Sequence, residues 1–448
     1  MTATRRVLLA GTAALTATAT LPAFGAPSAV LAQTPPMGWN SWNSFATTIT
    51  EAQALETARI MADRLLPHGY SVFTVDIQWY EPTAAGYDYN AGAPLTMDGY
   101  GRLLPAPNRF PSAAGDAGFK PLADRVHAMG LKFGVHLMRG IPRLAVANKL
   151  PVFGTAYHAG DIADMASTCA WNADMYGVDM TKPGAQAYYN SVFALFAIWG
   201  VDFVKMDDMS RVYGDHYREI EAAHAAIQAS GRPMVLSLSP GETDIKWAKH
   251  VQKYAQMWRI SDDFWDDWKL LRAQFARLEA WNAYRLPGHW PDTDMLPLGR
   301  LALGQRDTKF TPDEQRTLMT LWAIARSPLI MGGDLRALDA ETLDLLTNDE
   351  VLAVNQNSSH NRCHHQKNDG DEYSFWTARA QKPDSYYLAL FNTEDTPRKR
   401  YVLWWELGLK GKWRVRDVWT HKDLGVFADS FGLDLAPHAS GLYQIVKA

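Results

Sequence analysis

The segment "VDFVKMDDMS", residues 201–210, is an apolar run that ends in charged side chains. Such a run predicts a buried β-strand, in which successive side chains point to opposite faces. Lys205 and Asp207 then point the same way, and Asp208 points the other way. Since a nearby cation lowers the pKa of a carboxyl group, we expect Asp207 to be ionised, as a nucleophile or a metal ligand must be.

A second segment, "QMWRISDDFWDDW", also carries carboxylates at a predicted strand end. Strand alternation places Arg259 and Asp263 on one face and Asp262 on the other. The surrounding aromatic residues make the neighbourhood of Asp263 less polar, which favours a protonatable carboxyl group. One ionised and one protonatable carboxyl group in a single pocket predict a glycosidase. The alternative, which the segment alone would favour, is an Asp–Arg ion pair that caps a strand.

Polar side chains also end several other apolar runs. They are Asp76 in "VDIQW", His136 in "GVHLM", Ser239 in "LSLSPG", and Asp292 and Asp294 in "HWPDTDM". In a parallel barrel the carboxyl ends of the strands form one rim, and that rim carries the active site. So many polar ends on one rim indicate a functional site more than a set of separate strand caps.

Four amphipathic runs end at a glycine and are followed at once by an apolar run. The glycines, Gly69, Gly130, Gly200 and Gly231, are typical of left-handed helix C-caps. Repeated helix–strand alternation predicts an α/β protein with a parallel sheet and helices outside it. Further candidate strands at "PPMGWNSW", "YAQMWRISDD", "GHWPDTDML" and "RSPLIMGGD" bring the number to eight. Eight strands predict a (β/α)8 TIM barrel; an open doubly wound sheet is disfavoured because no glycine-rich phosphate loop follows the first strand.

At the end of the barrel-like part, the sequence pattern changes. Short runs in which apolar and polar residues alternate follow, and polar turns join them. We therefore predict a catalytic barrel over residues 33–354 and a C-terminal antiparallel β-sandwich domain over residues 355–448. Packing against the barrel is the favoured task of this domain, and sugar binding is the alternative. The run "HNRCHHQ" at the junction lacks regular ligand spacing, so we interpret it as a solvated loop and not a metal site.

Residues 1–32 are interpreted as a signal peptide. Arg5 and Arg6 precede a moderately apolar run, and small residues near Ala32 offer a cleavage site before Gln33. The paired arginines fit the twin-arginine route, with an ordinary secretory signal as the alternative. The run is too short and too rich in Ala and Thr to predict a membrane span. We expect an exported protein, periplasmic or extracellular, without membrane association once the signal is removed.

Composition narrows the class of partner. The chain has 448 residues, of which 47% are hydrophobic and 21% charged, with a net charge of -4. The chain has no basic run of the kind that would predict nucleic-acid binding. Its two cysteines are too few for a disulfide scaffold. The 17 tryptophans exceed the usual frequency, and flat aromatic faces suit sugar rings, although core packing accounts for most tryptophans.

Six motifs taken together resemble one known family. They are "TPPMGWNSW", "VDFVKMDD", "WRISDD", "HWPDTDMLPLG", "LWAIARSPLIMGGDLR" and "NDEVLAVNQ". Because these motifs occur together and in this order, the chain resembles the glycoside hydrolase family 27 α-galactosidases over essentially its whole length after the signal peptide. The resemblance implies a (β/α)8 barrel, a carbohydrate substrate, no cofactor and no metal, and hydrolysis with retention of anomeric configuration.

The resemblance also implies roles for individual residues. Asp207 matches the family nucleophile and Asp263 the acid/base. The matched or adjacent substrate-binding positions are Trp42 as an aromatic wall, Asp76 as a carboxylate for sugar hydroxyls, Lys205, Arg259, Ile77, His136, Ser239 and Asp294.

Several positions depart from the family pattern. Family members usually carry a second aspartate where this chain has Ile77, a Glu near the 2-hydroxyl where it has Ser239, and a Tyr where it has His136. These changes affect sugar selection and not the reaction type. We expect α-D-galactosidase activity. The alternatives are an α-N-acetylgalactosaminidase, for which a small Ser239 leaves room, a β-L-arabinopyranosidase, and an isomaltodextranase acting on α-glucosidic bonds.

Two interpretations lie outside this reaction class. The first is a metal-dependent barrel hydrolase that uses Asp207, Asp208, His136 and Asp292. It is disfavoured because no paired-histidine ligand motif occurs at the strand ends. The second is a carbohydrate-binding protein without activity, which is disfavoured because both carboxylates are present.

Overall fold

Eight short parallel strands carry the polar strand ends. They are β1 (Met37–Asn40), β2 (Val72–Val75), β3 (Lys132–Met138), β4 (Phe203–Asp207), β5 (Val235–Leu238), β6 (Met257–Arg259), β7 (Trp290–Asp292) and β8 (Leu329–Met331). Each strand from β1 to β6 pairs in parallel with the next, and β8 pairs with β1. A parallel bridge between Leu296 and Met331 links the chain after β7 to β8. This curled sheet confirms the predicted barrel.

The computed structural model describes residues 30–368 and 371–448. The predicted signal peptide, residues 1–32, therefore lies almost entirely outside the described residues. Within the described part of the chain, the helices are too short or too polar for any of them to cross a bilayer. Cys169 and Cys363 are both free thiols.

Within residues 30–368 and 371–448, twelve α-helices accompany the strands. They are α1 (Trp42–Phe45), α2 (Glu51–Arg64), α3 (Lys120–Ala128), α4 (Arg143–Ala147), α5 (Ala159–Ile162), α6 (Ala185–Trp199), α7 (Tyr213–Ser230), α8 (Ala248–Tyr254), α9 (Trp268–Trp281), α10 (Pro312–Ala325), α11 (Ala340–Thr347) and α12 (Asp349–Asn357). Short 3₁₀ helices cover Leu66–His68, Pro111–Ala113, Ile245–Trp247, Asn282–Tyr284, Leu335–Ala337 and Trp404–Leu407.

The predicted glycine caps are present. The φ angles of Gly69, Gly130, Gly200 and Gly231 are 96°, 84°, 83° and 71°, so each lies in the left-handed region that glycine adopts without steric cost. Each glycine ends a helix or follows its last turn, and a barrel strand begins within a few residues. The caps thus explain the abrupt change from helix to strand that the sequence pattern indicated.

A small antiparallel sheet interrupts the barrel between β3 and β4. Its strands are Ile141–Pro142, Met175–Val178 and Ala163–Thr168, in that spatial order. The sequence analysis did not predict this sheet, because its strands are short and Ala163–Thr168 is largely exposed. A two-stranded ribbon, Arg300–Leu301 with Arg306–Asp307, follows β7.

The C-terminal domain contains eight antiparallel strands. They are β9 (Ser359–Asn368), β10 (Asp371–Arg379), β11 (Ser385–Phe391), β12 (Arg398–Leu403), β13 (Trp413–Asp417), β14 (Lys422–Phe427), β15 (Ser430–Leu435) and β16 (Ser440–Lys447). Six strands form one sheet in the order β9-β10-β11-β16-β13-β14, and β12 pairs with β15. Side chains of both sheets, such as Phe375, Val402 and Phe431, share one apolar core. The predicted sandwich is confirmed.

The interpretation of "HNRCHHQ" as a loop is wrong. These residues lie in β9 and pair with β10, from Arg362 opposite Thr377 to Gln366 opposite Tyr373. The run is polar because its side chains make specific contacts and do not fill a core. The ring of His364 stacks on that of Phe375 at 4.8 Å.

The β domain packs firmly on the barrel. Trp376, Ala389 and Leu442 belong to the same apolar core as the barrel helices. The ring of His438 stacks on Trp268 with 3.8 Å between centroids, and its Nδ1 lies 2.7 Å from Glu314. These contacts support packing, the favoured task of the domain.

Candidate active site

A cavity of about 590 Å³ opens at the carboxyl ends of the barrel strands. Of the ten predicted site residues, eight line it: Trp42, Asp76, Ile77, Lys205, Asp207, Arg259, Asp263 and Asp294. The other two, His136 and Ser239, contact Asp207 from below. Residues that are distant in sequence therefore meet at one rim, as the barrel prediction required. Their individual roles in catalysis stay predictions.

Asp207 is the last residue of β4, and it is buried. The Ser239 hydroxyl donates a hydrogen bond to its Oδ1. His136 Nε2 lies 3.0 Å and Lys205 Nζ 3.6 Å from its Oδ2. Burial alone would raise the pKa of Asp207, but Lys205, His136 and Ser239 outweigh it and hold this pKa well below its usual range. Asp207 is therefore an anion at neutral pH, as expected from the sequence.

Lys205 joins Asp207 to a second buried carboxylate. Its Nζ donates to Asp76 Oδ2 at 2.8 Å, and the Asn40 side-chain amide donates to the same oxygen at 2.7 Å. Burial lowers the pKa of Lys205, but Asp207 and Asp76 raise it above its usual value. The ammonium is consequently charged and fixed between two anions. Lys205 and Asp207 face the same way, which confirms the alternation predicted within β4.

The predicted apolar surroundings of Asp263 are wrong, because this carboxyl group is exposed and contacts a cation. Its side chain is 55% exposed, and Arg259 Nη2 donates to its Oδ1 at 3.3 Å. The carboxyl group thus sits at the mouth of the cavity, where water and a leaving group can reach it. A group that gives and takes protons needs this access.

The predicted orientation of Asp262 is wrong. Asp262 lines the same cavity as Asp263 and pairs with Arg211. Strand alternation fails here because β6 ends at Arg259, so that residues 260–266 follow a bend and not a pleat. The exposed position of Asp262 explains why two adjacent carboxylates share the cavity rim.

Asp208 was predicted to point away from Asp207, but it borders the same cavity, where it pairs with Arg139. The chain turns after β4 with a φ of 64° at Asp208, and Arg139 Nη2 donates to Asp208 Oδ2 at 2.7 Å. Arg139 Nη1 also donates to the buried Glu219 at 2.7 Å. The sequence analysis missed Arg139, although it follows directly on β3, where a cation after a strand end was a usable signal.

The floor of the cavity contains a second charged group. Arg259 Nη1 lies 2.8 Å from Asp294 Oδ1, and the Phe264 amide donates to Asp294 Oδ2 at 2.8 Å. Burial raises the pKa of Asp292 to about 7, since Asp294 adds to the shift and Arg259 only partly opposes it. The contact with Asp294 fixes Arg259, and Arg259 in turn reaches Asp263.

An aromatic wall completes the cavity. The rings of Trp42 and Tyr89 stack with 6.2 Å between centroids, and Trp171 lies 5.4 Å from Tyr89. Tyr89 and Trp171 come from loops without a periodic pattern, so the sequence analysis did not identify them. Flat apolar rings beside carboxylates suit a sugar, whose ring has apolar faces and polar edges.

The geometry also bears on the metal-dependent alternative. Asp76, His136 and Asp207 offer ligand atoms within 4.8 Å of one another. The Lys205 ammonium already lies 2.8 Å from Asp76 and 3.6 Å from Asp207, so a second cation there would be repelled. Asp208 is neutralised by Arg139. The arrangement therefore fits a carboxylate nucleophile better than a metal centre.

Comparison with known families supports a glycosidase, the class of enzyme that the two carboxyl groups predict. Residues 172–357 match a family model described as alpha galactosidase A. Residues 370–445 match the alpha galactosidase C-terminal beta sandwich domain. Alpha-galactosidase 3 of Arabidopsis thaliana is 31% identical over 401 residues, which cover 88% of this chain and 77% of that protein. Alpha-galactosidase A of Homo sapiens is 28% identical and covers 82% of this chain and 75% of that protein.

Solved structures add more similar relatives. A family 27 β-L-arabinopyranosidase from Geobacillus stearothermophilus is 48% identical, with a TM-score of 0.90, over 93% of this chain and 98% of that chain. A putative α-N-acetylgalactosaminidase from Bacillus halodurans is also 48% identical, with a TM-score of 0.84, over 94% of this chain and 99% of that chain.

The Lys205–Asp207 contact predicts the pH dependence of activity. Because Asp207, as the predicted nucleophile, must be ionised to attack, Lys205→Met should raise the Asp207 pKa and move the acidic limb of kcat/KM to higher pH by about one unit or more. Lys246→Met, which removes an exposed lysine paired with Asp244, should leave the limb in place. An acidic limb that does not move in Lys205→Met would contradict the assignment.

Proposed function

Because the chain belongs to glycoside hydrolase family 27, and so is a glycoside hydrolase, we propose that it removes terminal galactose-configured sugars with retention of anomeric configuration. An α-D-galactoside, the substrate expected from the sequence, ends in such a sugar. The observation that carries the proposal is the contrast between the two carboxyl groups. Asp207 is buried and held as an anion beside Lys205, whereas Asp263 is open to water at the cavity mouth.

The proposed reaction has two steps. Asp207 attacks the anomeric carbon while Asp263 donates its proton to the leaving oxygen, which gives a glycosyl–Asp207 ester and a free alcohol. Asp263, now a carboxylate, takes a proton from water as that water attacks the same carbon and releases Asp207. Two inversions give net retention. Arg259, 3.3 Å from Asp263, favours the carboxylate that forms in the first step.

Ile77 favours a second candidate within the same stereochemistry. β-L-Arabinopyranose has the ring configuration of α-D-galactopyranose but lacks the hydroxymethyl group at C5. Ile77 is 1% exposed and lines the cavity where family members usually carry an aspartate for sugar hydroxyls. An apolar side chain cannot accept a hydrogen bond from a 6-hydroxyl, and the Geobacillus relative is a β-L-arabinopyranosidase. We infer that β-L-arabinopyranosides are the better substrates.

Ser239 does not provide the space for an N-acetyl group that the sequence suggested, although the Bacillus halodurans relative is described as a putative α-N-acetylgalactosaminidase. Ser239 was expected to leave room beside the 2-hydroxyl. Its hydroxyl instead donates to Asp207, and its side chain faces a small cavity below the nucleophile that also borders Ser237 and Asp292. Ser239 therefore supports Asp207, and an N-acetyl group gains no space from it.

The roles of the two carboxyl groups predict opposite azide products. With an activated nitrophenyl substrate, Asp207→Ala should lower kcat by about four orders of magnitude or more. Azide should then take the vacated place of the nucleophile and give a glycosyl azide of inverted configuration. Asp263→Ala still forms the ester, so azide should give the retained product, as determined by proton NMR.

Asp262→Ala is the matched control, since Asp262 lines the same rim. It should keep kcat within about tenfold of wild type and show no azide rescue. Retained azide from both Asp207→Ala and Asp263→Ala would contradict the assigned roles.

The sugar preference is tested with a substrate panel. We expect cleavage of nitrophenyl β-L-arabinopyranoside and α-D-galactoside, the former with the higher kcat/KM, and little cleavage of α-N-acetylgalactosaminide, α-glucoside or dextran. Ile77→Asp should shift the ratio of the first two at least about tenfold towards galactoside, and Ile77→Val should keep it. Cleavage of only the glucosidic substrates would overturn the proposal, and an unchanged ratio in Ile77→Asp would exclude a selective role for Ile77.

We also propose that the protein is exported. The support is the sequence of residues 1–32, with Arg5 and Arg6 ahead of an apolar run and small residues before Gln33. N-terminal sequencing of the protein recovered from the periplasm or the medium should begin at Gln33. Recovery of the intact chain from the cytoplasm alone would contradict export.

A further inference from the structure

A second group of reactive side chains lies where α9 meets β9, apart from the catalytic cavity. Cys363 and His365 are two positions apart in β9, so they share a face of the sheet. Glu279 reaches them from the last turn of α9. The sulfur, nitrogen and oxygen atoms of these three side chains all lie within 4.8 Å of one another, and His365 Nε2 is 2.7 Å from Glu279 Oε1.

We propose that Glu279, Cys363 and His365 form a binding site for a thiophilic divalent metal ion such as Zn²⁺. One thiolate, one imidazole and one carboxylate are ligands that zinc accepts, and three protein ligands with a water complete a tetrahedron. Ligand atoms around such an ion lie roughly 3.3–3.8 Å apart. Small side-chain rotations therefore suffice to close the site. Mg²⁺ and Ca²⁺, which prefer oxygen ligands alone, do not suit it.

Without a metal ion, the Cys363 sulfur is a thiol. Burial raises the pKa of the Cys363 thiol to about 12, and the Glu279 carboxylate adds to this shift. The thiol is thus protonated at neutral pH. Metal binding replaces the S–H bond with an S–metal bond and releases that proton to water. The Ser374 hydroxyl, within hydrogen-bonding reach of the sulfur, is placed to donate to the resulting thiolate.

The site joins two parts of the chain that are already fixed against each other. Beside it, the Asn282 side-chain amide donates to the Asn361 carbonyl at 2.9 Å, and Arg285 Nη2 donates to the same carbonyl at 3.4 Å. The ligands from α9 and β9 are thereby held in register. Since α9 runs back from the carboxyl end of β6, Glu279 lies towards the opposite end of the barrel from the catalytic rim. Metal binding should stabilise the contact between barrel and β domain without changing turnover.

Cobalt titration tests the site directly. Metal-free protein kept reduced should develop sulfur-to-cobalt charge-transfer absorption that saturates at one equivalent of Co²⁺ and disappears when Zn²⁺ is added. Cys363→Ser should abolish this absorption, and Glu279→Gln and His365→Gln should each weaken Co²⁺ binding at least tenfold. Cys169→Ser, which removes the other cysteine of the chain, is the matched control and should keep the absorption.

Thermal unfolding gives a second readout. Zn²⁺ should raise the melting temperature of the wild type by about 2 °C or more, have no such effect on Cys363→Ser, and leave kcat unchanged. Wild-type turnover in Cys363→Ser and His365→Gln would establish that these variants are folded. The proposal is overturned if the wild type gives no saturable absorption, if Cys363→Ser keeps it, if Cys169→Ser loses it, or if His365→Gln binds Co²⁺ as tightly as the wild type.

Discussion

The Lys205 ammonium is the charge on which the catalytic site depends. It lies between Asp76 and Asp207, two carboxylates with almost no access to water. Two bare anions in such a place would repel each other and one would take up a proton. The ammonium removes that repulsion, and the neighbouring amide of Asn40 completes the shell of Asp76. The buried Asp207 carboxylate stays ionised because this cation, together with His136 and Ser239, is fixed beside it.

Fixing that cation is the task of the barrel. Asp76 follows β2, His136 lies in β3, Lys205 and Asp207 end β4, and Ser239 follows β5. These strands are neighbours in the sheet, so short parallel pairings bring all five side chains to one point. The strands are buried and rigid, and polar groups can be held there only with partners present. Asp263 sits outside this inner group, on the bend after β6, where it needs contact with water more than rigidity.

Sequence reasoning succeeded where a regular element extends to the residue in question. Alternation placed Lys205 and Asp207 correctly because β4 continues to Asp207. It failed for Asp262 because β6 stops at Arg259, and no residue type in that segment marks the end of the strand. The polar run in β9 was taken for a loop because its side chains contact other polar groups, a pattern that hydrophobic periodicity does not detect. Tyr89 and Trp171 were missed because they lie in loops, whereas Arg139 was missed although it directly follows β3.

The small antiparallel sheet between β3 and β4 has a consequence for how such a site can change. Its residues 166–168 and the following Trp171 form one wall of the cavity, whereas Asp207 and Lys205 both lie in β4, which follows the insertion. Loss, growth or replacement of this insertion would reshape one side of the cavity while Asp207 keeps Lys205, His136 and Ser239 as its partners. The carboxylate cluster and this wall of the cavity are therefore free to diverge at different rates.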